Sequence, residues 1–277
     1  MAHISPKESR NKKRQSKKSP QRAALNKELF IWGIHPILEA LKTNPHHVKE
    51  IIVEKGKKGL RLEELLQVAQ QKGISVITGQ PALEGTDRKA APSEQEKSQG
   101  VSARITLPTL SLDKLLGKFE NDATPPFLLA LDSIQDPHNL GAIIRSAVAA
   151  GVNGLILPKD RSASITSTVI NVSSGAAFHL DICRVTNLVS SFKELKKEGI
   201  WIVGTAKGSL QPVYETDLTI PVCLVIGSEG KGLRPLVAEN CDFLVTIPMK
   251  GALDSLNASV AAGIILFETV RQRALQK

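Results

Sequence analysis

Cysteine is scarce in this 277-residue chain, and its three copies, Cys183, Cys223 and Cys241, stand far apart with no Cys-x-x-Cys. That pattern argues against a disulfide framework and a structural zinc site. It implies a reducing compartment, so a cytoplasmic protein is expected. The six histidines show no metal-ligand spacing, and the adjacent pair His46 and His47 points in different directions, so no metal is expected. No apolar stretch free of charges or breaks approaches about 18 residues, the length that spans a bilayer, and no membrane segment is expected. Acid is nearly missing from the first 22 residues, where Glu8 alone faces eight Lys or Arg, so most of the net charge of +9 sits there. Such a leader cannot bury enough apolar surface to fold alone, and it lacks the apolar core of a secretory signal. It reads as a disordered basic arm over 1–26 that is drawn to polyanions.

Beyond the arm the chain has ordinary globular composition and is long enough for about two domains. Residues 28–33 predict a strand, a helix enters at Pro36, Val48–Val53 predicts a second strand, Leu60–Gln71 has helical spacing, and 74–77 forms a third strand. A polar stretch over 84–98 reads as a mobile loop before a strand at 100–107. These pieces make a small α/β domain over 27–106, followed by a linker over 107–125 that is rich in proline and charge. From 126 to 277 strands and helices alternate, which predicts a largely parallel sheet covered on both faces. Ligands bind such sheets beyond the carboxyl ends of the strands.

Three loops occupy that position. The first follows the apolar strand Phe127–Leu131, breaks at Asp136-Pro137 and enters a helix whose buried face is Leu140, Ile143, Ile144, Ala147 and Val148, with Asn139 expected as its N-cap. Arg145 lies off that stripe. It is either a solvated helix residue or a cation kept for an outside phosphate or carboxylate. The second loop, 227–233, has glycine at 227, 230 and 232 directly after a buried strand, with Glu229 between them. Its Gly-x-x-Gly-x-Gly order matches neither a dinucleotide fingerprint nor a P-loop. The third, 247–259, sets Ser255 and Asn257 before a very apolar helix over 260–267. Capping accounts for one of these two residues but not both, and a helix start with free N-H groups suits the polar end of a ligand.

Taken together, Asp136-Pro-x-Asn139-x-Gly141-x-Ile-x-Arg145, Ile226-Gly-x-Glu229-Gly-x-Gly232 and Ile247-Pro-Met-x-Gly251-x-x-x-Ser255-Leu-Asn257-x-Ser259 resemble the three motifs of the SpoU (TrmH-like) RNA 2′-O-ribose methyltransferases. Trp32-Gly33-x-His35-Pro36-x-x-x-Ala40 also resembles the L30e-like substrate-binding domain of that family. One position departs from the family pattern: Ser98 stands where members often carry histidine before Gln-Gly-Val. The resemblance implies an α/β fold with a C-terminal trefoil-knotted parallel-sheet (SPOUT) domain behind a small L30e-like domain. It implies S-adenosylmethionine as cofactor, RNA as substrate, and a homodimer. The two-domain layout is most similar to members that methylate a guanosine of 23S rRNA. A tRNA substrate and a catalytically silent assembly factor are the alternatives.

By motif matching, the cofactor falls against Thr205, Gly227, Ile247 and Leu256. Asn139, Arg145, Glu229, Ser255 and Asn257 form the catalytic and substrate-orienting set. The chemistry needs an aligned in-line attack by a ribose hydroxyl and the removal of one proton. Guanidinium is protonated at neutral pH, which suits Arg145 to holding an RNA phosphate, with Asn139 and Glu229 expected to fix it and the proton leaving through that phosphate or water.

Overall fold

A computed structural model describes residues 28–79, 99–119, 124–252 and 255–276. The expected arm over 1–26 and the whole of the expected loop over 84–98, Ser98 included, lie outside the described residues. Two sheets organise the rest. The first holds β1 (Glu28–Trp32), β2 (Val48–Val53), β3 (Ser75–Thr78) and β4 (Val101–Thr106) in the order β1-β4-β2-β3. β4 runs antiparallel to both its neighbours, while β2 and β3 are parallel and are joined through α2 (Leu60–Gln71). Helix α1 (Ile34–Thr43) follows β1 and buries Ile37, Leu38, Ala40 and Leu41, the spacing of one helical face.

The second sheet is parallel throughout: β5 (Phe127–Leu131), β6 (Gly154–Pro158), β7 (Asp181–Val185), β8 (Trp201–Thr205), β9 (Gln211–Pro212), β10 (Val222–Ile226) and β11 (Phe243–Thr246) lie in the order β7-β6-β5-β10-β8-β11-β9. Its central strands are buried along their full length, as a sheet covered on both faces requires. Strand alternation divides the core in two. Phe127, Leu129 and Leu131 join the cluster that includes Leu140, Ile143 and Ile144 of α4 (Pro137–Ala149) and Ile265 and Leu266 of α8 (Ala258–Ala274). Leu128 and Ala130 join the opposite cluster with Phe192 and Leu195 of α6 (Leu188–Lys197).

The stretch expected to be a linker is more structured than its composition suggests. It carries α3 (Leu112–Leu116), capped by the Ser111 hydroxyl, and Leu115 is fully buried with Leu128 and Ile156. Leu110 also bridges to Cys183 at the sheet edge. One leucine in the right register is enough to tie a polar segment to a core, and that is invisible in average composition.

The two sheets meet where α1 lies against the turn over 176–179 that follows α5 (Ser167–Val172). Glu39 Oε2 stands 2.7 Å from His179 Nε2, and the Asn44 amide donates to the Phe178 carbonyl at 3.3 Å. Burial pushes the Glu39 carboxyl up, but its hydrogen bond to His179 and the charge of Lys42 outweigh this and hold it below the usual value. All three cysteines are free thiols: burial pushes Cys183 up to about 11 and Cys241 up to about 12, and Cys223 higher still. They are therefore neutral, poor nucleophiles at physiological pH. No described helix is long and apolar enough to cross a membrane, and the described residues contain no metal-holding group of His, Cys, Asp and Glu.

Candidate active site

The carboxyl ends of β8, β10 and β11 lie side by side, so the loops after Thr205, Ile226 and Thr246 open at one edge of the sheet. The loop after β10 is a tight hairpin in which Ser228 and Gly232 exchange backbone hydrogen bonds at 3.0 and 2.9 Å. Gly227 is dictated by this hairpin. A Cβ placed there would sit 2.2 Å from the Gly232 carbonyl carbon and 2.4 Å from the Leu233 nitrogen, both backbone atoms that no side-chain rotation can move aside. The first requirement for that glycine is thus the loop's own closure rather than approach to a ligand.

Beneath the hairpin lies an ion pair that sequence reasoning missed. Asp132, fully buried just past β5, accepts from the Arg234 backbone N-H at 2.8 Å and from its Nε at 2.7 Å. A buried carboxylate needs such compensation, and here it anchors the far end of the loop. An aspartate at the mouth of an apolar strand, with an arginine soon after the glycine run, was the available signal.

The first and third loops converge on the second. Helix α4 is capped by Asp136, whose carboxylate accepts from the His138 N-H at 2.9 Å, with Pro137 at the first helical position. This corrects the expectation that Asn139 is the cap. Released from capping, Asn139 donates to Glu229 Oε2 at 3.5 Å and accepts from the Asn257 amide at 3.0 Å. Asn257 also donates to Glu229 Oε2 at 3.4 Å. Its own Oδ1 caps α8 by accepting from the Ser259 and Val260 N-H groups, so one side chain both starts the helix and joins the site. Ser255 caps nothing. It is exposed on the wall of a cavity of about 520 Å³.

That cavity is walled by Thr205, Gly227, Ile247 and Leu256, with Glu229 and Ser255 on its lining and the chain over 205–208 along one side. Its volume suits a cofactor-sized molecule. Asn139 and Asn257 are not on its wall and reach the site through Glu229. Arg145 stands outside this cluster. It is exposed and its guanidinium donates to the Ser174 hydroxyl at 3.1 Å, which corrects the expectation that Asn139 and Glu229 fix it. Six helical positions separate Arg145 from Asn139, which places them about 120° apart around α4 and about 9 Å along it. The glycine of the first motif has a packing duty: a Cβ on Gly141 would lie 2.7 Å from Val172 Cβ, so α5 docks against α4 only over a bare backbone.

A parallel sheet with three motif loops gathered around one cavity defines a class, and comparison with known proteins agrees. The SpoU rRNA Methylase family matches residues 126–267, and a family described as RNA 2'-O ribose methyltransferase substrate binding matches residues 30–83. The chain belongs to the SpoU rRNA methylase family. Within it, the chain is 42% identical over 247 residues to the 23S rRNA (guanosine-2'-O-)-methyltransferase RlmB of Pseudomonas putida, covering 89% of this chain and 98% of that protein. It is 44% identical over 248 residues to the enzyme of the same name from Vibrio vulnificus, covering 88% and 97%. Among solved structures it is similar to the SpoU methyltransferase AviRb from Streptomyces viridochromogenes in complex with AdoMet, with a TM-score of 0.73, 29% identity, and 90% and 91% of the two chains covered.

Proposed function

We propose that this protein transfers a methyl group from S-adenosylmethionine to the ribose 2′-hydroxyl of a guanosine in 23S rRNA. The observation that carries the reading is the joining of Asn139, Glu229 and Asn257, one residue from each motif loop, at the cavity. The residues present fit the cofactor: Ile247 and Leu256 offer apolar walls, the hairpin brings Gly227 to the lining, and Glu229 and Ser255 supply polar groups on the same lining. When bound, S-adenosylmethionine supplies a methyl already activated by its sulfonium.

The chain's own residues then align the attack. Asn139 and Asn257 fix the Glu229 carboxylate, which accepts both amides on one oxygen and keeps the other for a ribose hydroxyl. Ser255 adds a hydroxyl to the same wall. Ser174 occupies one guanidinium nitrogen of Arg145 and leaves the rest of the fork for an RNA phosphate, the geometry that planar guanidinium recognises best. Thr205, Gly227, Ile247 and Leu256 would hold the cofactor, and the proton of the attacking ribose hydroxyl would pass to that phosphate or to water.

The same reading covers the remaining architecture. The unit over 27–106 serves as the RNA-binding domain, assisted by the basic arm. Insertion of β10 between β5 and β8, with α8 returning onto α4, supports a trefoil knot in the C-terminal domain. Val260 and Phe267 on α8 are each about half exposed although the helix is apolar, which supports a homodimer that covers them. The deciding experiment incubates the full-length protein with methyl-labelled S-adenosylmethionine and unmodified 23S rRNA or tRNA, and maps ribose methyls by mass spectrometry. A single 2′-O-methylguanosine in 23S rRNA is expected. Methylation of tRNA alone, or of no RNA, overturns the assignment.

A further inference from the structure

A second opening, of about 560 Å³, lies between the two sheets, where the end of β1 and the start of α1 face α5 and the first turn of α4. It contributes nothing to the cofactor cavity, and the two share no lining residue. Its chemistry also differs. Among the described residues the lining contains no Lys, Arg, Asp or Glu, and its polar groups are His35, Gln99, His138, Asn171, Ser174 and one threonine, beside the indole of Trp32.

Asn171 is the anomaly. Both atoms of its side-chain amide are buried, and among the described residues neither has a hydrogen-bond partner. A buried amide with an idle donor and an idle acceptor destabilises a fold, and such groups persist where something outside the chain completes them. Gln99 adds a second amide beside it. Its oxygen accepts from the Ile34 N-H at 3.3 Å, and its backbone holds a φ of 51°, a left-handed conformation uncommon for a residue with a side chain.

We infer that this cleft receives an unstacked nucleobase of the RNA substrate, read by the Asn171 amide. A phosphate would seek Lys or Arg, and among the described residues neither lines the cleft. A base offers a planar face for Trp32 and paired donors and acceptors along its edge, which a carboxamide matches with its own adjacent donor and acceptor. The placement fits an RNA already held at the active site. His138 precedes Asn139 on α4, and Ser174 at the cleft holds Arg145. Asn171 lines the cleft and is itself only partly buried, so its amide borders the space a base would fill. The inference rests on the reading of the protein as an RNA methyltransferase.

The test measures binding of unmodified 23S rRNA to the full-length protein and to its Asn171→Ala, Asn171→Leu and Arg145→Ala variants across a salt series. Thermal stability and S-adenosylmethionine affinity are measured alongside. A base contact carries no counterion release, so both Asn171 variants should weaken RNA binding about tenfold at every salt concentration with an unchanged slope, whereas Arg145→Ala should flatten the slope. The Asn171 variants should melt no lower than the unaltered protein, because they remove an unpaired amide, and should keep their cofactor affinity. Unchanged RNA affinity, an altered slope, or a loss of affinity that tracks a lowered Tm would overturn the base pocket while leaving the methyltransferase reading intact. Failure of the unaltered protein to bind or methylate RNA would instead overturn the reading beneath it.

Discussion

The two cavities are built on opposite plans. The one at the strand ends is shaped by backbone: a closed hairpin, the loop over 205–208, and a helix entry, with glycine fixed at 227 because nothing larger fits. The cleft between the sheets is shaped by side chains contributed from positions far apart in the chain, among them Trp32, Gln99 and Asn171. A backbone-built cavity accepts few substitutions, whereas a side-chain-built one can be retuned residue by residue. The first plan suits a cofactor that never changes, the second an RNA sequence that differs between substrates.

The sharpest test of the contrast is Gly227→Ala. The added methyl meets fixed backbone, so S-adenosylmethionine affinity and methyl transfer should both fall at least about 100-fold. Calorimetry that finds near-normal cofactor affinity would show that the hairpin is less rigid than its packing implies. Asn139→Ala should separate the site's chemistry from its cavity. It lowers kcat about 100-fold through misplacement of Glu229, with cofactor affinity within about twofold, because Asn139 is off the cavity wall. Equal losses in both would place Asn139 in cofactor binding.

Arg145→Ala should leave cofactor affinity unchanged, reduce methyl transfer about tenfold or more, and lower the salt slope of RNA binding by about one, as expected for a single phosphate contact. A cofactor-affinity loss as large as the activity loss would reassign it. The smallest effect is expected at the seam between the sheets, from Glu39→Gln. The folded-state pKa of Glu39 is depressed, so its contribution is complete above the ordinary value of 4.5 and fades as pH falls through the lower folded value. At pH 7 the variant should lose about 0.5 kcal/mol, the scale of a partly exposed pair. Melting curves of the two proteins should converge in acid, and a gap that stays constant with pH would remove the charge from the contact.

Much of the second sheet was legible because a parallel strand buried on both faces is a continuous apolar run. Val222 to Ile226, short, β-branched and followed by glycines, was readable as such a strand, and the loop after it followed. That Asn139 and Asn257 belong together was legible from the motifs, but their bonding was not. A capping residue is recognised by type, and Asp136 and Asn139 are equally good caps on paper; only the fixed φ of Pro137 makes the earlier one win. The expected contact of Arg145 with Asn139 and Glu229 failed although the six-residue spacing already set Arg145 about 120° away around the helix; motif membership outweighed helical geometry in that expectation. The cleft could not be read at all. Asn171 sits in a six-residue helix with no periodic signal, and its partners across the opening come from a different sheet.

Asn257 carries one consequence beyond geometry. The oxygen of its amide caps the Ser259 and Val260 N-H groups while the nitrogen of the same amide holds Asn139 and Glu229, so local melting of the first turn of α8 and loosening of the Asn139–Glu229–Asn257 cluster are coupled. Solvent exchange at those two backbone protons therefore clocks how often the cluster comes apart. Slower exchange on addition of cofactor would express, in protons per minute, how firmly the ligand holds the motif loops together.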